Sequence, residues 1–126
     1  MTRHPYAITN KLVDDTLTTA LEGGITYWAA SAIPDHWPDG GSKMFPSQSP
    51  YASEVLTMGA DLLITIHREF EDTRVYRLTL AKMKKGIKAW CGIRGITPAR
   101  LEDDVADAAD ADCIVQLALF GEVVYG

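Results

Sequence analysis

Residues 62–80 read LLITIHREFEDTRVYRLTL, and this stretch decides the fold class. Apolar and β-branched residues alternate with polar ones on either side of residues 71–73. This alternation predicts an antiparallel hairpin of two strands, Leu62–Phe70 and Arg74–Leu80. From about Thr79 to Cys91 the apolar residues instead recur at helical spacing, with lysines between them. This second pattern predicts a basic amphipathic helix directly after the hairpin.

The residues before the hairpin predict a helix and a further strand. A helix over residues 9–22, capped by Thr9 or Asn10, would end at Gly23-Gly24 as a left-handed C-cap does. Ile25–Ile33 is apolar on both faces, which favours a central strand or one that is covered on both sides. Residues 54–58 fit either a short strand or one helical turn.

Two more helices and a short strand are predicted after the basic helix. Thr97-Pro98 has the cap and first-position proline of a helix start, and the acidic residues 99–111 follow it. Residues 112–120 are almost wholly apolar, which predicts a buried helix ended by Gly121, and residues 122–125 fit a short edge strand. We therefore expect a single α+β domain over residues 1–126, with a small, mainly antiparallel sheet of three or four strands packed with three to four helices.

The composition limits the classes of protein to which the chain can belong. Of its 126 residues 47% are apolar and 23% are charged, a balance that excludes wholesale disorder. With 12 basic and 17 acidic residues the net charge is −5, so a globally basic nucleic-acid binder is not expected. The sequence contains neither a membrane-length apolar run nor a signal-peptide pattern, so we expect a cytoplasmic protein without a membrane partner.

Charge is distributed unevenly along the second half of the chain. Eight cations and no acids lie between Thr73 and Leu101, whereas seven acids and no cations follow Leu101. Such asymmetry marks either a ligand surface or two solvated faces that neutralise each other. No aromatic residue interleaves with the lysines, which argues against nucleic acid as the ligand. The acidic segment could instead occupy a basic surface of a target protein.

The titratable residues form no recognised catalytic or metal-binding motif. Cys91 and Cys113 lack zinc-ligand spacing and are expected to be buried free thiols. His67 with Glu69 fits an acid/base pair on one strand face, and His36 beside Asp35 fits a metal ligand or a base. A polar surface explains both histidines as well. We therefore assign no catalytic residue and expect no metal and no cofactor.

Two segments offer groups for ligand binding. In Glu22–Trp28 two glycines precede adjacent aromatic residues, so a nucleobase could stack where the backbone comes close; the alternative is a helix cap followed by a core strand. The loop at residues 34–50, rich in proline, glycine and serine, carries large apolar groups that suggest docking onto the domain or a partner. Arginines of the hairpin could meet a phosphate. The candidate contact residues are Tyr27, Trp28, Trp37, Arg74 and Arg77.

Ala20–Trp28, ALEGGITYW, and Val115–Gly126, VQLALFGEVVYG, give the chain a family resemblance. It resembles small proteins of tailed bacteriophages, especially those that infect actinobacteria, which pair an opening "alEGGInYW" with a closing "vQaaLFGeivYG". The order of motifs agrees over most of the chain. The resemblance implies a phage origin and a cytoplasmic role in the infected cell. It implies no reaction and no functional residue, because the family has no assigned activity.

These observations leave three functions open. The first is a non-enzymatic phage protein that counters a host process, with a host protein or a small nucleotide signal as its ligand. The second is an enzyme that acts on a nucleotide or phosphoester through His67 or His36, and the third is a structural or assembly role in the phage particle. A homodimer or higher oligomer is also expected, because the last helix and strand are apolar and a sheet edge needs covering.

Overall fold

The sheet is a three-stranded antiparallel meander centred on the first strand of the predicted hairpin. The computed structural model describes residues 4–38 and 51–126. Strand β2 (Leu62–Ile66) pairs with both β1 (Ala29–Pro34) and β3 (Val75–Leu78). The α+β class and the antiparallel sheet are therefore confirmed. The docking prediction for the loop at 34–50 lies largely outside the described residues.

One face of the sheet builds the core and the other is open. Leu62, Ile64 and Ile66 of β2 are buried in a single hydrophobic cluster with side chains from the helices. On the opposite face Ile33 and Val75 are each 59% exposed. The prediction that the first strand is central or doubly covered is therefore wrong, since β1 is an edge strand. The described helices are α1 (Asn10–Thr19), α2 (Leu80–Arg94), α3 (Pro98–Asp104) and α4 (Ala108–Phe120).

The connection from α1 to β1 differs from the predicted cap and strand. Residues 20–24 continue α1 as a wider turn of π type, and Gly23 has an extended φ of 172° rather than a left-handed one. Gly24 is required for packing instead, because a Cβ there would lie 2.9 Å from the carbonyl oxygen of Ala108. The chain then turns again before β1, where the amides of Trp28 and Ala29 both donate to the Ile25 carbonyl.

Helix boundaries follow the local capping chemistry. The hydroxyls of Thr9, Thr79 and Thr97 accept from backbone amides at the starts of α1, α2 and α3. Gly92 lies on the exposed face of α2 and does not stop it; the helix ends at Gly95, whose φ is +69°. The predicted acidic helix is interrupted, since α3 ends at Asp104 and α4 begins at Ala108.

Helix α2 packs closely along α4. A Cβ on Gly86 would lie 2.5 Å from the carbonyl oxygen of Ile114, so only glycine permits this separation of the helix axes. After Gly121 the chain forms no strand, in contrast to the prediction for residues 122–125, and instead folds back over α4. The ambiguous residues 54–58 form helical turns.

Candidate functional site

The two segments that carry the family resemblance meet at Asp112 on α4. One carboxylate oxygen accepts from the Tyr27 hydroxyl at 2.6 Å, and the other accepts from the Trp28 indole nitrogen at 2.7 Å. The amide nitrogen of Gln116, one helical turn later, donates to the same oxygen as Trp28, at 2.8 Å. Its carbonyl oxygen accepts from the backbone amides of residues 124 and 125, both at 2.7 Å. We call Tyr27, Trp28, Asp112, Gln116 and Tyr125 the aromatic junction.

The aromatic junction is a part of the core that extends to the surface at Tyr27. Trp28 has no exposed surface, and Tyr125 stacks on its ring at a centroid distance of 5.3 Å. The core alternative for Trp28 is the one that the structure shows, and its indole presents no face to a nucleobase. Tyr27 is 44% exposed, although its hydroxyl lies against Asp112. Burial of the hydroxyl, together with this hydrogen bond, raises the pKa of Tyr27 to about 12.

The candidate phosphate-binding arginines are each held by carboxylates. Arg77 donates to Asp35 at 2.9 Å and to Asp61 at 3.0 Å on the open face of the sheet. Arg74 forms two hydrogen bonds of 3.0 Å to Asp72, and these bonds lower the pKa of that carboxyl far below its usual range. At both guanidinium groups a phosphate would therefore meet carboxylates that already compensate the positive charge.

The other candidate residues also have separate surroundings. Trp37 is half-buried and packs against the core. The predicted acid/base pair is wrong in its geometry, because β2 ends at Ile66 and Glu69 lies in a following 3₁₀ turn. A ring nitrogen of His67 bonds to the Thr26 carbonyl at 2.9 Å. The exposed His36 lies 3.0 Å from the Asp35 carboxylate. Within the described ranges, no three His, Cys, Asp or Glu side chains form a metal-binding group.

A groove of about 640 Å³ lies between α1 and residues 51–54, and four acidic side chains are among those that line it. Two of these acids, Asp14 and Asp15, have partners within the protein. The Thr57 hydroxyl donates to Asp14 at 2.8 Å, and Lys11 pairs with Asp15 at 2.6 Å. Burial raises the pKa of Asp14 despite its hydrogen bond to Thr57, which acts in the opposite direction. At these two positions the groove therefore offers carboxylates that are already engaged.

A contrasting surface lies on α2, where Lys84, Lys85 and Lys88 form what we call the lysine face. In the part of the chain that the structure describes, these three ammonium groups have no carboxylate within ion-pair distance. Acids that could neutralise them are engaged elsewhere, since Asp104 pairs with Arg100 and Asp110 pairs with Arg94. The acidic segment therefore neutralises Arg94 and Arg100 of the basic segment, but it does not neutralise these three lysines.

An apolar groove of about 370 Å³ adjoins the lysine face between α2 and the residues that precede α1. Sequence reasoning missed this groove because its walls are far apart in the chain and become neighbours only in the fold. Lys88 is the one charged residue among those that line it in the described structure. The lining residues are Tyr6, Ile8, Lys88, Cys91, Gly92, Ile96 and Pro98.

Comparison of the chain with protein-family models, with curated proteins and with solved structures gives no match. Over residues 4–38 and 51–126, no helix combines the length and the apolar character needed to cross a bilayer. A functional assignment must therefore be argued from the surface chemistry of the chain itself.

Proposed function

We propose that this chain is a bacteriophage protein that acts in the infected cell by docking onto an acidic surface of a host protein. The observation that carries the proposal is the lysine face. Three ammonium groups that have no carboxylate partner among the described residues lie within one helical turn and a half, where they attract carboxylates and accelerate encounter with an acidic partner. The phage origin rests on the resemblance at residues 20–28 and 115–126.

The helix that carries these lysines is rigidly placed. Thr79 caps its first turn, and Gly86 fixes its separation from α4. A backbone that is already ordered adds no folding step to binding, so the entropy lost on binding is confined to the lysine side chains. This supports a role in recognition for the lysine face.

The surroundings of the predicted nucleotide-binding residues favour a protein ligand over a nucleotide. Trp28 is buried, and the charges of Arg74 and Arg77 are compensated by Asp72, Asp35 and Asp61. Stacking on Trp28 would have to replace its core contacts, and a phosphate would be repelled by the carboxylates that already neutralise the two arginines. The lysine face has no such internal competitor among the described residues.

The test is quantitative capture from infected host cells with a charge-reversed face. Tagged protein is compared with Lys84→Glu/Lys85→Glu and with a control, Lys11→Glu/Arg68→Glu, that makes the same charge change elsewhere. We expect the α2 variant to recover at least about tenfold less of the captured host protein, and the control to recover it normally. Circular dichroism verifies that both variants fold.

Two results would contradict the proposal. Equal capture by the wild type, the α2 variant and the control would show that the lysine face does not contact the partner. Stoichiometric release of a nucleotide on heating protein purified from a nucleotide-rich lysate would instead support sequestration, and release of a converted product would support an enzyme.

A further inference from the structure

Val105, between α3 and α4, combines backbone strain with exposure. Its φ is +57° and its ψ is 107°, and 66% of its surface is exposed. A β-branched residue at positive φ is sterically disfavoured, and such strain persists at sites where a side chain must be held in a particular place. Hydrophobic burial within this chain does little to offset the conformational strain, because most of the Val105 side chain is exposed to solvent.

The residues around Val105 are acidic. Asp103 and Asp104 precede it, and Asp107 follows it at the start of α4. The segment therefore presents one apolar side chain flanked by carboxylates. The apolar groove beside the lysine face has the complementary arrangement, with Cys91 and Ile96 in its lining and an ammonium group at Lys88.

We propose that Val105 of one copy of this chain inserts into the apolar groove of a second copy, where the carboxylate of Asp104 faces Lys88 in exchange for its solvent-exposed pair with Arg100. The two complementary features lie at the same end of the molecule, because Ile96 lines the groove and also lines the depression that contains Val105. A two-fold axis at this end allows each copy to donate a valine and receive one, which closes the assembly as a dimer.

This surface differs from the one that the sequence suggested for self-association, which was the last helix with the adjoining strand. It also goes beyond the proposed function, because Lys84 and Lys85 are not used in the dimer and stay available to a host protein. The two proposals can therefore fail separately.

Charge exchange tests the dimer directly. Sedimentation velocity over a dilution series up to roughly 100 µM protein gives the Kd of the dimer, which we expect to be micromolar for the wild type. Lys88→Glu and Asp104→Lys each place like charges across both halves of the contact, so each is expected to raise this Kd by at least about tenfold. Mixing the two variants restores opposite charges in both halves, and we expect the wild-type Kd to return in the mixture alone.

A second variant tests the valine. Val105→Gly removes the side chain and suits the positive φ, so we expect weaker dimerisation by about tenfold or more without a fall in the thermal midpoint of the monomer. The matched control is Val123→Gly, which removes another exposed valine outside a helix and should leave the dimer intact.

Three results would overturn this inference. They are a wild type that is monomeric at the highest concentration, a dimer that neither the charge variants nor Val105→Gly weakens, and a mixture of the charge variants that stays monomeric. A monomeric wild type that still captured its host partner through Lys84 and Lys85 would overturn the dimer and leave the proposed function standing.

Discussion

The aromatic junction and the lysine face use their polar groups in opposite ways. In the junction, Asp112 and Gln116 meet the indole of Trp28, the hydroxyl of Tyr27 and backbone amides, so the donors and acceptors are matched inside the protein. On α2, the described lysines find no carboxylate. The most distinctive residues of this sequence therefore stabilise the fold, whereas the charged groups without an internal partner among the described residues belong to ordinary surface lysines.

Helix α2 separates these two environments. Its buried side packs against α4 through Gly86, and its opposite side exposes Lys85, Lys88 and Gly92. Substitutions on the two sides of this helix, and in the junction beyond it, should therefore change stability by clearly different amounts.

Loss of the Trp28 side chain should produce the largest effect. Trp28→Ala removes a fully buried indole and one of the two side-chain donors to an oxygen of Asp112, so we expect the free energy of unfolding to fall by about 3–5 kcal/mol. Urea denaturation measures this change. Trp28→Phe, which keeps an aromatic ring, should lose less. A stably folded Trp28→Ala protein that had lost only ligand binding would show instead that Trp28 contacts the ligand.

The same substitution on the two sides of α2 should act in opposite directions. Gly86→Ala forces a methyl group to within 2.5 Å of the Ile114 carbonyl, so we expect destabilisation by about 1–3 kcal/mol. Gly92 lies on the same helix, and a methyl group added there would have no neighbouring atom within 4 Å. Gly92→Ala should therefore stabilise the protein by about 0.5–1 kcal/mol, because alanine has the better helix propensity. Equal thermal shifts in the two variants would show that α4 does not constrain α2.

Much of the secondary structure could be predicted because its signals are local. The alternation in residues 62–78, the caps at Thr9 and Thr97 and the helix end at Gly121 all act within a few positions. The start of β1 could not be predicted, since Ile25 and Trp28 are apolar for a different reason: they belong to a turn that packs into the core.

The candidate surfaces were only partly predictable. The run of lysines is visible in the sequence, but whether acids neutralise it depends on how α3 and α4 are placed. Tyr6 and Lys88 line one groove although more than half of the chain separates them. The strain at Val105 likewise arises from the sharp connection between two capped helices, and nothing in its local sequence demands a positive φ.

Tyr27, at the surface of the aromatic junction, should show a much smaller effect than Trp28. Tyr27→Phe removes the hydrogen bond to Asp112 and is expected to cost about 1 kcal/mol at neutral pH, since the ring is partly solvated. The folded-state pKa of about 12 lies above the ordinary value of 10.0, so the folded protein keeps its proton where the unfolded chain loses it. The contribution of Tyr27 is therefore complete below pH 10.0 and declines as the pH rises towards about 12. Denaturation of both proteins across this range should show the difference between them shrinking with pH; a constant difference would mean that the hydroxyl titrates as it does in the unfolded chain.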